Sequence, residues 1–194
     1  MTLIKTYNFS ESAIKSFIVS TANGQYLWIA FSQDNDGNCA LLKVSAHNLL
    51  QQYFNIDIAV DEIKKMTIYS TYIYLAYDDS ALIGARYSLN NPLTTYNNFS
   101  LPSGIDEAPV DLIVDGTYVY YLIPGNDSGK NAKIVKLTIS GTFIETIDLS
   151  TVTNAVSFST DGTDFWVITY ESPSKLVRVY DDGGYTFQTT LLGT

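Results

Sequence analysis

The chain has 194 residues, of which 46% are hydrophobic, 13% aromatic and only 16% charged, with 20 acidic against 11 basic side chains and a net charge of −9. That length suits one domain with its own core, and so many aromatics with so little charge exclude a disordered acidic tail. The negative balance, with no basic run longer than Lys64-Lys65, excludes nucleic-acid binding through a phosphate-neutralising patch and disfavours an anionic membrane surface; no stretch of about 18 apolar residues is present to insert into a bilayer.

The chain opens without a basic segment followed by an apolar one, so no secretory leader is expected. Thr2–Phe9 reads as an extended strand and resembles Thr142–Leu149. Gly24–Phe31 follows, and its pattern returns at Ser70–Tyr77, Gly116–Ile123 and Gly162–Thr169, each start 46 residues after the last. The first position (Gly24, Ser70, Gly116, Gly162) suits a tight turn with positive φ. The fifth is always aromatic: Trp28, Tyr74, Tyr120 and Trp166. Apolar residues at the fourth and sixth positions as well predict a strand covered on both faces, with the aromatic column packing between neighbouring units.

A strand precedes each of these turns. Met66, Leu112 and Phe158 align there, with Lys65, Asp111 and Ser157 just before them; the first unit needs a gap of one or two residues around Ile18 and Val19. A third strand follows (Ala40–Val44, Ile83–Tyr87, Ile134–Thr138, Leu176–Tyr180), each with a central basic residue: Lys43, Arg86, Lys136 and Arg178. A fourth strand ends each unit: Leu50–Ile58, Leu93–Leu101, Thr142–Leu149 and Thr186–Leu192. Ala46–Tyr53 is the only short candidate for a helix.

Four-stranded units at this period resemble the blades of a β-propeller. The resemblance covers nearly the whole chain and implies an all-β fold. One domain over 1–194 would hold four antiparallel blades at 13–58, 61–101, 108–149 and 155–192, led by one outer-type strand at 2–9. The signatures of WD repeats, kelch repeats and sialidase Asp-boxes are absent, so no subfamily is assigned. A β-solenoid would have shorter, Gly-richer coils, and a sandwich would not repeat; two eight-stranded sheets are the minor alternative. The leading strand is one more than four complete blades need, and an edge strand invites pairing. A longer ring, a four-blade ring with a docked strand, and a ring of several copies are all open.

Chemistry is sparse. His47 lies in a connection and reads as a solvated residue, and no Gly-x-Ser-x-Gly elbow accompanies it. Cys39 reads as a buried strand residue, and a single cysteine excludes an internal disulfide. No catalytic residue, metal site or cofactor is assigned. The loops before the first strands and between the second and third share one face in the propeller reading. That face collects most of the acids and is the candidate ligand surface, represented by Asp34, Asp36, Asp78, Asp79, Asp106 and Asp127. Asp34–Asn38 looks like half of a calcium loop without the flanking ligands, and Asp, Asn and Gly also simply favour turns. Asp78-Asp79 and Asp181-Asp182 are adjacent carboxylates of the kind that act on sugars, although neighbours in a turn point apart. Tyr7, Tyr53, Tyr96 and Tyr185 fall outside the repeated columns and are candidate sugar platforms.

The expectation is a non-enzymatic propeller used for binding or assembly, with other protein subunits or further blades as partners and glycans as a second class. The Tyr-, Asn-, Thr-, Ser- and Ile-rich, Lys-poor composition resembles bacteriophage tail or capsid-associated proteins and bacterial surface adhesins, which implies a virion or cell-surface setting. A lectin-like propeller and a glycan-active hydrolase using the acidic face are the alternatives.

Overall fold

The computed structural model describes residues 16–22, 25–32, 39–45, 47, 51–56, 60, 62–90, 96–126, 128–180 and 184–192. Sixteen strands run through them in four antiparallel sheets, each taking four consecutive strands in chain order. The first sheet holds β1 (Ser16–Ala22), β2 (Tyr26–Ser32), β3 (Cys39–Ser45) and β4 (Gln51–Ile56). The second holds β5 (Glu62–Tyr69), β6 (Tyr72–Asp78), β7 (Leu82–Ser88) and β8 (Tyr96–Ser100). The third holds β9 (Asp111–Val114), β10 (Tyr118–Ile123), β11 (Lys133–Thr138) and β12 (Phe143–Asp148). The fourth holds β13 (Ala155–Thr160), β14 (Phe165–Thr169), β15 (Ser174–Tyr180) and β16 (Thr186–Leu192). The leading segment 2–9 lies outside the described residues.

The turn column behaves as its residues require. Ser70, Gly116 and Gly162 have φ of 55°, 100° and 93°. Asp115 and Asp161, one residue earlier in the third and fourth sheets, cap their turns. Asp115 Oδ1 accepts from the N–H groups of Thr117 and Tyr118, both at 2.8 Å, and Asp161 Oδ1 accepts from those of Thr163 at 3.0 Å and Asp164 at 2.8 Å.

Two sequence expectations change here. The first unit needs no gap. The ladder between the first two strands shifts between Phe17 and Val19, between Ile63 and Lys65, and between Ala155 and Ser157. A one-residue bulge therefore sits at Ile18, Lys64 and Val156, in step with the 46-residue repeat, and Val19 takes the place of Lys65 and Ser157. Nor is there a helix among the described residues of 46–53: Gln51–Tyr53 belong to β4, whose backbone groups are satisfied by the ladder with β3.

Register explains the core. In the second and third strands the direct cross-strand pairs on one side are Leu27–Val44 with Ile29–Leu42, Ile73–Tyr87 with Leu75–Ala85, Val119–Leu137 with Tyr121–Val135, and Phe165–Val179 with Val167–Val177. These quartets form what we term the near face. On the opposite, far face each aromatic of the repeated column stands across from the basic residue of the third strand: Trp28–Lys43, Tyr74–Arg86, Tyr120–Lys136 and Trp166–Arg178.

The far face of one sheet packs on the near face of the next. Trp28, Ala30, Cys39 and Leu41 cluster with Ile63, Met66, Ile73, Leu75 and Tyr87. Tyr74, Ala76, Ile83 and Phe99 cluster with Leu112, Val119, Tyr121 and Val135. Tyr120, Leu122, Ile134 and Ile147 cluster with Phe158, Phe165, Val167 and Val177. Each fully buried large apolar side chain contributes about 1.5–3 kcal/mol. First strands lie side by side in the order β1, β5, β9, β13, and no comparable contact returns from β13 to β1 among the described residues.

Candidate functional site

Two features offer chemistry: a polar ladder across the first strands, and the loop face. In the ladder, Asp111 opens β9 and is buried. Its Oδ1 lies 3.0 Å from Lys65 Nζ on β5. Its Oδ2 accepts from Ser157 Oγ at 2.6 Å and from the Phe158 N–H at 3.2 Å, both on β13. One carboxylate thus joins three consecutive sheets. Lys65, Asp111 and Ser157 form one column of the repeat, but sequence reading did not assign them this joining role; the signal was three polar residues at a position that otherwise faces a neighbouring strand.

The basic column has its own geometry. Lys43 lies over the rings of Tyr26 (4.0 Å) and Trp28 (5.2 Å), Arg86 over Tyr72 (4.4 Å), Lys136 over Tyr118 (4.6 Å), and Arg178 over Trp166 (4.9 Å) and Tyr180 (4.2 Å). The third position of the repeat (Tyr26, Tyr72, Tyr118, Asp164) supplies this partner, a column the sequence reading passed over. In the fourth sheet an acid replaces the ring there, and Arg178 Nε donates to Asp164 Oδ2 at 2.7 Å. Such cation–ring contacts are worth about 0.5–2 kcal/mol each. Their role is structural: Arg86 also reaches across to the carbonyl of Ile139 in the third sheet at 2.9 Å.

On the loop face, the loop before the first strand meets the loop between the second and third strands in the third and fourth sheets. Lys130 Nζ lies 2.6 Å from Asp106 Oδ2 and 3.8 Å from Glu107 Oε1. Asn126 donates to Glu107, Asn131 to Asp148 at 3.0 Å, and the Tyr170 N–H to the carbonyl of Asn154 at 2.8 Å. Ile105, Asp106, Glu107, Lys130, Lys133 and Asp148 line a cleft of about 170 Å³ there. In the fourth sheet Thr153, Asn154, Tyr170, Glu171 and Ser172 line a more open groove.

Among the described residues, several acids of this face are paired with lysines. Lys64 lies 2.5 Å from Glu62 and 3.1 Å from Asp78. Burial works against its charge, but the two carboxylates outweigh it and raise its pKa. The Lys130 hydrogen bond holds Asp106 below the usual carboxylate range. Glu171 pairs with Lys175 and accepts from Thr153 Oγ1 at 3.1 Å. Burial opposes its ionisation, yet these partners prevail and lower its pKa. Asp79 accepts from the N–H groups of Ala81 at 2.7 Å and Leu82 at 2.8 Å, so it caps the turn while Asp78 turns to Lys64.

Of the six candidate acids, Asp78, Asp79 and Asp106 are therefore engaged within the fold, and Asp34, Asp36 and Asp127 lie outside the described residues, as do Asp181 and Asp182. Among the described residues no three His, Cys, Asp or Glu side chains gather in a way that could hold a metal ion. His47 is exposed and Cys39 is buried, its Sγ 3.6 Å from the Val60 carbonyl. Of the platform candidates, Tyr185 is half-buried with its hydroxyl donating to Glu145 at 3.0 Å; Tyr7 and the side chains of Tyr53 and Tyr96 lie outside the description. Among the described residues the aromatic most exposed to solvent is Tyr170, at 80%.

No protein-family profile matches the chain, and no curated protein does. Among solved structures, a prolyl endopeptidase is similar at 11% identity and a TM-score of 0.57, over 88% of this chain and 26% of that one. A eukaryotic initiation factor is similar at 9% identity and a TM-score of 0.43, over 92% of this chain and 55% of that one. The chain thus spans about a quarter and about half of those proteins. The first likeness concerns the fold alone.

Proposed function

We propose that the four sheets are consecutive blades of a β-propeller and that the chain is a non-enzymatic binding or scaffolding module of an assembly. The observation that carries this reading is the thrice-repeated packing of far face on near face, threaded by the Lys65–Asp111–Ser157 ladder along the first strands. The pairing of Asp78, Asp106 and Glu171 with lysines supports a role in binding over one in proton transfer. Composition supports a virion or cell-surface setting. The test is turnover of glycoside, ester and peptide substrates at high protein concentration. None is expected; turnover that disappears in Asp106→Asn or Glu171→Gln overturns the reading.

A second reading, carbohydrate binding, is favoured by Tyr170. An exposed ring beside Thr153, Asn154 and Ser172 combines a stacking surface with hydrogen-bonding groups. Calorimetric titration with a panel of mono- and disaccharides tests it: binding abolished by Tyr170→Ala supports a lectin, and no heat with any sugar removes it.

A further inference from the structure

We infer that the cleft between the third sheet and the loop leading into it binds a small zwitterion of the free α-amino acid class, with the ligand's carboxylate on Lys133 and its ammonium on Asp148. This goes beyond the scaffolding reading. It does not depend on how the sheets are arranged, because every group involved belongs to the third sheet, its own loops or the loop before it.

One cross-strand row carries the inference. Ile123, Lys133 and Asp148 stand directly across from one another at the loop end of β10, β11 and β12. Opposite charges at facing positions of an antiparallel ladder ordinarily pair. On these same two strands Lys136 and Glu145 do so, at 3.0 Å. Lys133 and Asp148 form no such pair among the described residues. The Lys133 ammonium turns instead to the Gly104 carbonyl at 3.1 Å, and Asp148 Oδ1 accepts from the Asn131 amide at 3.0 Å. An ammonium donates more than once and a carboxylate accepts more than once, so each keeps capacity for a further partner.

Both side chains line the cleft of about 170 Å³, whose apolar lining, Ile105 and Ile123, is buried. The other charges of the cleft are spent on one another, Lys130 on Asp106 and Glu107. One cationic and one anionic group are left facing a shared space with an apolar wall. A ligand that answers all three carries an anion, a cation and a short hydrocarbon, which describes an aliphatic amino acid. Small-molecule sites set a few polar groups in an apolar lining in this way. Size narrows the class: a cavity of about 150 Å³ takes benzene, so this one takes about six to eight non-hydrogen atoms, the span from alanine to valine.

NMR titration of the isotope-labelled chain tests this with L-alanine and L-valine, and with isovalerate and isobutylamine, which are valine without its ammonium and without its carboxylate. Valine should shift the amide signals of Ile105, Asn131 and Lys133, and bind about tenfold more tightly than either analogue. Lys133→Gln and Asp148→Asn should each weaken valine by about the same factor. Lys133→Gln should leave isobutylamine unchanged, and Asp148→Asn should leave isovalerate unchanged. Lys133 is half-buried and Asp148 exposed, and the amide spectrum itself reports that each variant is folded. No shift at these amides with either amino acid overturns the inference. So does an analogue that binds as tightly as valine, which marks a site for a single charge, and so does valine binding that both variants leave intact. Shifts there with glucose or galactose but not with the amino acids overturn it too, and give the cleft to a carbohydrate.

Discussion

Ser157 Oγ donates to Asp111 Oδ2 across 2.6 Å, and the two residues are one repeat apart, at the same place on neighbouring first strands. The other oxygen of Asp111 meets Lys65, one repeat earlier again. Asp111→Ala removes the shared acceptor and leaves the buried Phe158 N–H without it. We expect a loss of about 2–3 kcal/mol in urea unfolding, below the full value for a broken buried pair because Lys65 still reaches water. Lys65→Ala should cost about 1 kcal/mol or less. Equal losses for the two variants would contradict the ladder.

Gly84 marks a second joint. A Cβ there would stand 2.1 Å from the Leu75 carbonyl oxygen and 2.4 Å from the Tyr121 hydroxyl, which donates to that same carbonyl at 3.1 Å. Gly84→Ala should cost about 2–3 kcal/mol, and Tyr121→Phe about 1 kcal/mol. The double variant should lose less than the sum, because removing the hydroxyl relieves one of the three close contacts, leaving the Leu75 oxygen and the Tyr121 Cζ at 2.9 Å; additive losses in a double-mutant cycle would contradict this.

The turn acids predict a pH dependence. Asp161 is held below the ordinary carboxylate value by the N–H groups of Asp164 and Thr163. Asp115 is opposed by burial, but the N–H groups of Tyr118 and Thr117 and the Tyr120 hydroxyl prevail and lower it too. Both folded values lie below the ordinary 3.8, so their stabilisation is present above that pH and is lost as pH falls through the folded values. Urea midpoints of the wild type should therefore drop below about pH 4. Asp115→Asn and Asp161→Asn should be weaker at neutral pH and flatter in acid; a variant with the wild-type acid slope would contradict the assignment.

The two tryptophans should report differently. Trp28 is fully buried and Trp166 is half-buried on the open far face. With Trp166→Phe, the remaining emission should be blue-shifted and resist acrylamide. With Trp28→Phe, it should be red-shifted and readily quenched. Equal quenching of both would contradict the one-sided exposure.

Much of this fold is legible in the sequence because burial on both faces of a strand leaves a period, and the period returns at equal spacing. The aromatic column from Trp28 to Trp166 and the basic column from Lys43 to Arg178 were readable as columns, although only register showed that they are direct cross-strand partners. The first unit suggested a gap because polar Ser20 stands where Met66, Leu112 and Phe158 are apolar in the other units, while the bulge at Ile18, Lys64 and Val156 keeps all of them in step. The partners of the acidic face were not legible for a different reason. Its acids are visible one by one, and Lys64 and Lys175 lie within four residues of Glu62 and Glu171, but the Lys130 partner of Asp106 comes from another loop 24 positions away, and only the fold brings those two together.

The central claim is that, among the described residues, the four sheets stand in one row in chain order, far face on near face. Gln25, Thr71, Thr117 and Thr163 are exposed residues at the four equivalent turns, and Cys39 is buried, so spin labels can be placed on introduced cysteines at those sites in pairs. Pulsed electron resonance on the doubly labelled chain, diluted with unlabelled chain, should give equal distances for 25–71, 71–117 and 117–163, a longer one for 71–163, and the longest for 25–163. A 25–163 distance equal to the neighbouring steps would contradict the open row and show a ring closed by four sheets.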